Sequence, residues 1–412
     1  MRRALTSLAL LLAAAAQAQP VPTPAWLPAT AQATDWIEAD ASVAMARQGN
    51  AAAGHAAEVL ASGSQEWAVR LQAQRRQVQD GGAASREWQA HLERPLRVNG
   101  KAALDERLGD AERALGRALL GEARHESARA LADLWIGELA ARQGLELAAG
   151  QAALADANLV AVQKRRRAGD ASLLDEQQAQ AEVGDAQREL SGARTRLAKA
   201  RAGLQSRFGA LVPASAALGD VGEPALAEAA WLERVITEAD ALKARQVQQQ
   251  RARLAAARAR ADRVPDPVVG VFTASEARGS EKLVGLSLTL PLGGSHREQR
   301  ALQLAREADM AESALEQMRR EVELQARETW ADAQGSRERW QLGRETARLA
   351  AANARLVQRA YALGEADLQT LLLARRQAAL SAIAALDAQA EALRWEARLL
   401  IDAHLVWNLE HD

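Results

Sequence analysis

The chain has 412 residues, enough for two or three domains or for one elongated one. A formal net charge of −1 gives no electrostatic basis for a nucleic-acid partner. The absence of cysteine excludes disulfides, thiolate metal sites and an acylated N-terminal Cys, so a lipid anchor of that kind is not expected.

Residues 1–18 read as a cleaved secretory signal: Arg2 and Arg3, an apolar run from Ala4 to Ala16, then the A-x-A site Ala16-Gln17-Ala18. The alternative, a retained membrane helix, is too short to span a bilayer. Later apolar stretches are interrupted by Arg, Glu or Gln. No further transmembrane helix is therefore expected, and any insertion would use strands.

A proline-rich leader occupies residues 19–37, and a tandem duplication follows. Glu38-Ala39-Asp40-Ala41 recurs as Glu238-Ala239-Asp240-Ala241, a shift of 200. Further on the shift becomes 195, with Trp135 on Trp330, Asn158 on Asn353 and Val162-Gln163 on Val357-Gln358. In the same register Gly169-Asp170-Ala171-Ser172-Leu173 falls on Gly364-Glu365-Ala366-Asp367-Leu368. Trp, Asn and Gly matches in one ungapped register exceed what an alanine-rich composition produces by chance. The expected plan is repeat 1 over 38–209, an equatorial linker over 210–237, repeat 2 over 238–405 and a tail over 406–412.

Each copy carries one island of strand signal, a hairpin at about 65–98 and another at about 266–292. In the first, Trp67, Val69 and Leu71 alternate with polar residues, as do Trp88 and Leu92. In the second, Val284, Leu286, Leu288 and Leu290 alternate with Gly285, Ser287 and Thr289, and the polar loop SEARGSEK precedes them. The strands match the length of a tilted bilayer-crossing strand, and Trp67 and Trp88 suit interfacial anchoring. These nine apolar residues form the expected lipid-facing set. A half-buried hairpin of a soluble protein has the same alternation.

No proline occurs between Leu96 and Val212 or after Leu292, as continuous helix requires. Long helices are expected over 101–168 and 296–363, each about 100 Å at 1.5 Å per residue. Gly169 and Gly364 then allow return helices of roughly 40 residues, and shorter helices enter each hairpin. Leu342, Leu349, Leu356 and Leu363 recur every seven residues, which marks a supercoiling seam. Each repeat thus pairs one long helix with two shorter ones stacked end to end. The fold class is mainly α with a small β part.

These features resemble the TolC family of outer-membrane efflux proteins. The likeness is carried by VPDPVVGVF, by VGLSLTLPL followed by GGSHREQRALQLA, and by the turns RRRAGDASLLD and YALGEADLQTLL. It extends from about Thr34 to Trp407 and is greatest for the heavy-metal, CzcC-like branch. The resemblance implies a homotrimer whose four strands per chain close a 12-stranded transmembrane β-barrel in outer-membrane lipid, above a periplasmic α-barrel. It also implies a periplasmic adaptor protein and an inner-membrane pump of the resistance-nodulation-division type as partners. The adaptor would dock on the tip turns, here Gly169, Asp170, Ala171, Leu173, Gly364, Glu365, Ala366 and Leu368. Where some relatives place acids at the tunnel mouth, this chain has Thr370 and Leu373, so Glu365 and Asp367 are the acids left to serve there.

The six histidines are widely separated in sequence and show no metal-ligand spacing. Phosphate-loop, nucleophile-elbow and H-E-x-x-H motifs are missing, so neither an enzyme nor a cofactor is expected. The basic run Lys164–Arg167 beside the first tip reads as a solvated helix face or as a steering patch for an acidic adaptor. The leading functional expectation is the passive exit duct of a tripartite efflux system, with heavy-metal cations as cargo. Organic drug efflux and type I protein secretion are alternatives within the class. A periplasmic adaptor or a soluble coiled-coil scaffold is the alternative outside it; neither explains two equivalent hairpins of lipid length.

Overall fold

The computed structural model describes residues 22–77 and 83–409. The expected signal over 1–18 lies outside these residues, as does His411. The elements run in two parallel sets. The first comprises α1 (Thr30–Ala39), α2 (Ala41–Ser62), β1 (Ala68–Arg76), β2 (Ser85–Pro95), α3 (Lys101–Ala168) and α4 (Leu173–Phe208). The second comprises α5 (Glu228–Glu238), α6 (Asp240–Ala261), β3 (Val268–Glu276), β4 (Glu281–Thr289), α7 (Ser295–Leu363) and α8 (Leu368–Asp402). The mainly α fold with a small sheet is as expected.

In each set a proline-free helix of 68 or 69 residues is the spine, with one helix packed near each end of it. Helices α2 and α4 lie along α3, α6 and α8 lie along α7, and α3 also packs on α6 and α8, joining the sets. Glycine permits the closest of these approaches. At Gly116 of α3 an added Cβ would lie 2.8 Å from the Asn50 side chain and 2.9 Å from Ala53 Cβ on α2.

The main core sits at the midpoint, where the shorter helices meet. It is built from Trp26, Ile37, Trp135, Trp231, Ile401 and Trp407 among others. Three indoles satisfy their N–H groups inside it: Trp135 donates to Trp26 O, Trp231 to Leu399 O and Trp407 to Pro28 O, at 3.0, 2.8 and 3.1 Å. The two copies repeat a tilted ring pair, Trp36 on Trp135 at 5.9 Å and Trp231 on Trp330 at 5.6 Å. A buried indole needs a polar partner; the irregular backbone at Trp26 and Pro28 supplies two of these carbonyls, and the last turn of α8 supplies the third at Leu399.

Several local expectations change. The stretch read as a linker contains α5, whose Trp231 and Val235 are buried. The leader is a packed part of the core, since Trp26 and Leu27 are buried and α1 runs through residue 37. The tail is packed as well: Val406, Trp407 and Leu409 are buried, and Thr34 donates to Trp407 O at 3.3 Å. The polar loop of the second hairpin shrinks to a 3-10 turn, Ala277–Gly279, because β3 continues to Glu276. Leu290 and Leu292 lie beyond the end of β4. The seven-residue leucines of α7 line no seam within the chain; Leu342, Leu349, Leu356 and Leu363 are all more than half exposed. Helix α3 contains a stretch long and apolar enough, by length and composition, to cross a membrane. That corrects the expectation that no later segment would qualify.

Candidate functional site: the strand end and the helix tips

The four strands form one antiparallel sheet in the order β1-β2-β3-β4. Opposed residues in an antiparallel pair share a face. The register aligns Val69, Leu92, Val271 and Leu286 in one row, and Leu71, Ala90, Thr273 and Val284 in the next. Ala73, Trp88 and Ser275 form a third, while Val269 and Leu288 continue the same face. Trp67 and Leu290 extend the alternation just outside the strand ends. All nine apolar residues singled out from the sequence thus lie on one face, and every one of them is exposed, Val284 and Leu286 by 84% and 83%.

The opposite face is polar. Arg70 donates to Glu93 at 2.6 Å and Gln74 to Glu87 at 2.9 Å, while Arg76 lies 3.3 Å from Glu87 and 3.5 Å from Glu276. Phe272, Leu283 and Val268 are the large apolar residues on this side. Phe272 stacks on His91 at 5.4 Å and lies over Gly285, where a Cβ would come within 2.5 Å of the ring. Among the described residues, β1 pairs only with β2 and β4 only with β3, so each leaves one edge unpaired.

A buried ionic clamp joins the sheet to the helices. Lys101, at the first residue of α3 and almost fully buried, donates to Val264 O and Asp266 Oδ1, both at 2.7 Å, and lies 3.2 Å from Asp262. Arg97 donates to Leu60 O and Ala61 O at 3.2 and 2.7 Å, and to Asp105 at 3.2 Å. Arg258 donates to the other Asp105 oxygen at 2.6 Å. Sequence reasoning missed this joint, because its charges come from both copies.

At the far end, Gly169 and Gly364 terminate the long helices in the left-handed conformation, with φ of 89° and 79°. Asp170 N–H donates to Arg165 O at 2.8 Å and Glu365 N–H to Ala360 O at 2.9 Å, closing equivalent C-caps. Each return helix is then capped. Ser172 and Asp175 form a reciprocal capping box, and Asp367 accepts from Thr370 N–H at 2.7 Å. That hydrogen bond holds the Asp367 carboxyl below the usual carboxylate range. Asp367 is therefore a helix cap, whereas Glu365 is exposed on the turn.

The two tips share a small core of Val162, Ala179, Leu368 and Leu371, against which Ala171, Val357 and Tyr361 pack. Leu368 departs from its expected role as an outward contact: it is 4% exposed, because its side chain closes this core. Leu173, Leu174 and Leu363 carry the exposed apolar surface instead. Asp170 is exposed, and Ala171 and Ala366 are half-buried. The basic run is tied into the turn. Arg165 stacks over Tyr361 at 5.1 Å, Arg166 pairs with Glu176, and Arg167 donates to Gln163 O at 3.3 Å.

The histidine expectation also changes. His125 and His404, 279 positions apart, have ring centroids 5.1 Å apart, and Asp240 lies beside them. The fold makes a ligand group that no sequence spacing announced.

No protein-family model matches the chain. Over 238 residues it is 25% identical to the cobalt-zinc-cadmium resistance protein CzcC of Cupriavidus metallidurans. The match spans 57% of this chain and 57% of that relative, just over half the length of each. In structure it is similar to the outer-membrane channel OprN, with a TM-score of 0.78 and 14% identity over 95% of this chain and 93% of OprN. CusC, described as forming a transmembrane channel, gives a TM-score of 0.71 and 16% identity over 94% of this chain and 97% of its own. Both structures are of channels. Fold and sequence together bear out the resemblance: the chain has the TolC-type outer-membrane channel fold, with CzcC-like sequence over more than half of its length.

Proposed function

We propose that this protein is the outer-membrane exit duct of a tripartite efflux system, a passive conduit without catalytic chemistry. The observation that carries the reading is the sheet, with one exposed apolar face, one ion-paired polar face and two unpaired edges. Unpaired edges are not tolerated in lipid, and four strands cannot close a barrel. Three copies supply twelve strands, an even number within the range of outer-membrane barrels. The exposed leucine stripe of α7 supports the same assembly, since a seven-residue apolar seam without a partner in its own chain suits a helix of a neighbouring copy.

In this reading the sequence opens with a cleaved signal, the polar strand face lines the pore, and the helices form a periplasmic tunnel of about 100 Å. The tips, with Gly169, Asp170, Ala171, Leu173, Gly364, Glu365 and Ala366, dock a periplasmic adaptor linked to a resistance-nodulation-division pump. Glu365 is the acid best placed to act at the tunnel mouth. Divalent heavy-metal cations are the favoured cargo, on the strength of the CzcC match. Bilayer recording on purified protein tests the conduit: a steady conductance that requires assembled protein is expected, and a sealed bilayer would overturn it. Zinc, cobalt and cadmium tolerance of a deletion strain, set beside tolerance of organic toxicants, tests the cargo.

A further inference from the structure

At the equator, the junction of α5 and α6, the end of α8 and the middles of α3 and α7 border a cavity of about 70 Å³. Glu122, His125, Arg129, Asp240, Thr329 and Asp402 are among its lining residues. His125, Asp240 and His404 each present a ligand atom, and all three atoms lie within 4.8 Å of one another. Bonds of about 2.0–2.1 Å in a tetrahedral site put ligand atoms roughly 3.4 Å apart, so modest side-chain rotation would close the set.

The surroundings are built around these groups. An added Cβ at Gly121 would lie 3.0 Å from the Asp240 carboxylate, so the bare backbone of α3 makes room for it. His125 Nε2 is 3.2 Å from Asp402 Oδ1, an oxygen that also accepts from Arg129 Nε at 2.8 Å. With Nε2–H donated to that carboxylate, the lone pair of His125 resides on Nδ1, the arrangement by which a carboxylate orients a metal-binding imidazole. Lys243, the nearest cation to Asp240 at 3.8 Å, is held more closely by Glu238 at 2.7 Å.

The duplication supplies a control within the molecule. In the first copy Asp40 accepts from Arg207 Nε at 2.9 Å and from Ser127 Oγ at 2.7 Å, so a guanidinium is built into that site. Under the shifts of 200 and 195, Asp40 becomes Asp240, Arg207 becomes Asp402 and Gly209 becomes His404. At these two positions the second copy has a carboxylate in place of a guanidinium and an imidazole in place of a glycine, and the guanidinium present there, Arg129 of α3, is engaged by Asp402. His404 occupies the left-handed region at φ 53°, as Gly209 does at φ 62°, a conformation that favours glycine.

We propose that His125, Asp240 and His404 form a binding site for a borderline-soft divalent cation of the zinc or cobalt class. The ion would fasten the start of α6 to α3 and to the C-terminal end of the chain. Two imidazoles and a carboxylate suit such ions and not calcium or magnesium. The site lies in the helical core and stands whether or not the channel exports metal.

The test is equilibrium dialysis of the purified full-length protein, stripped with chelator, against zinc, with cobalt absorption as a second readout. One zinc per chain and a four-coordinate cobalt spectrum are expected. His404→Gly restores the residue of the equivalent position and should leave the circular dichroism unchanged. With Asp240→Asn it should weaken zinc binding by at least about tenfold. His55→Ala, on the exposed side of α2, should leave affinity unchanged. Absence of stoichiometric zinc binding would overturn the proposal, as would undiminished affinity in both His404→Gly and Asp240→Asn.

Discussion

Replacing Leu286 by Arg puts the membrane reading at risk at one atom-level position. Leu286 is the sixth of nine residues in β4 and stands in the row Val69, Leu92, Val271, Leu286. Nine residues at about 3.3 Å each span roughly 30 Å, and a tilt of about 40° reduces this to some 23 Å of membrane normal. That matches the apolar band of an outer-membrane barrel and sets Leu286 near its middle. A guanidinium there costs about 2–4 kcal/mol per chain, and a trimer carries three. In a soluble sheet the same change on an 83% exposed side chain would stay within about 0.5 kcal/mol. Ser287→Arg, one residue along on the polar face, is the paired control and should be tolerated. The assay is urea unfolding in lipid vesicles with outer-membrane yield measured in parallel. If Leu286→Arg matched wild type while Ser287→Arg failed, the two faces would be assigned the wrong way round.

Three further outcomes follow from the geometry. Lys101→Met leaves Asp266 and Asp262 facing a buried hydrocarbon. Because both carboxylates keep some solvent, the loss should fall at or below the low end of the range for breaking a buried pair, about 2–3 kcal/mol, read as a lower urea midpoint with unchanged slope. Gly364→Val forces a β-branched residue to φ 79° with open space around its Cβ. The strain, about 1–2 kcal/mol, stays local to the tip, so efflux should fall while trimer yield on unboiled gels holds; loss of the trimer would assign the glycine to folding instead. Burial pushes the Asp40 carboxyl up, but hydrogen bonds from Ser127, the Ser42 N–H and Arg207 outweigh it and hold the group below its ordinary value. Its stabilisation is therefore complete above about pH 4 and is lost as pH falls through the lowered value. Asp40→Asn should thus melt below wild type at pH 7, and the gap should narrow as pH falls below the ordinary carboxylate range; a gap that widened on acidification would contradict the assignment.

What the sequence made legible is what repeats locally. The bounds of α3 follow from a proline-free run ending at Gly169, and the two sheet faces follow from period-2 alternation. What it hid depends on closure of the chain on itself. Trp407 reaches Pro28 across 379 positions, Lys101 reaches Asp266 across 165, and His125 meets His404 only where the shorter helices abut. The α7 leucines illustrate a different limit. Their spacing announces a seam but does not say whose helix fills it, and in the folded chain they remain exposed. Leu368 shows the reverse, since a turn pattern cannot distinguish an outward leucine from one that closes the tip core.

The most direct test of the central claim is fractionation of tagged protein, with unboiled gel mobility and the mass of the detergent-solubilised particle measured together. The account predicts a heat-sensitive trimer in the outer-membrane fraction. A monomer or dimer in the soluble periplasmic fraction would contradict it, and the apolar sheet face would then have to be covered by something other than lipid.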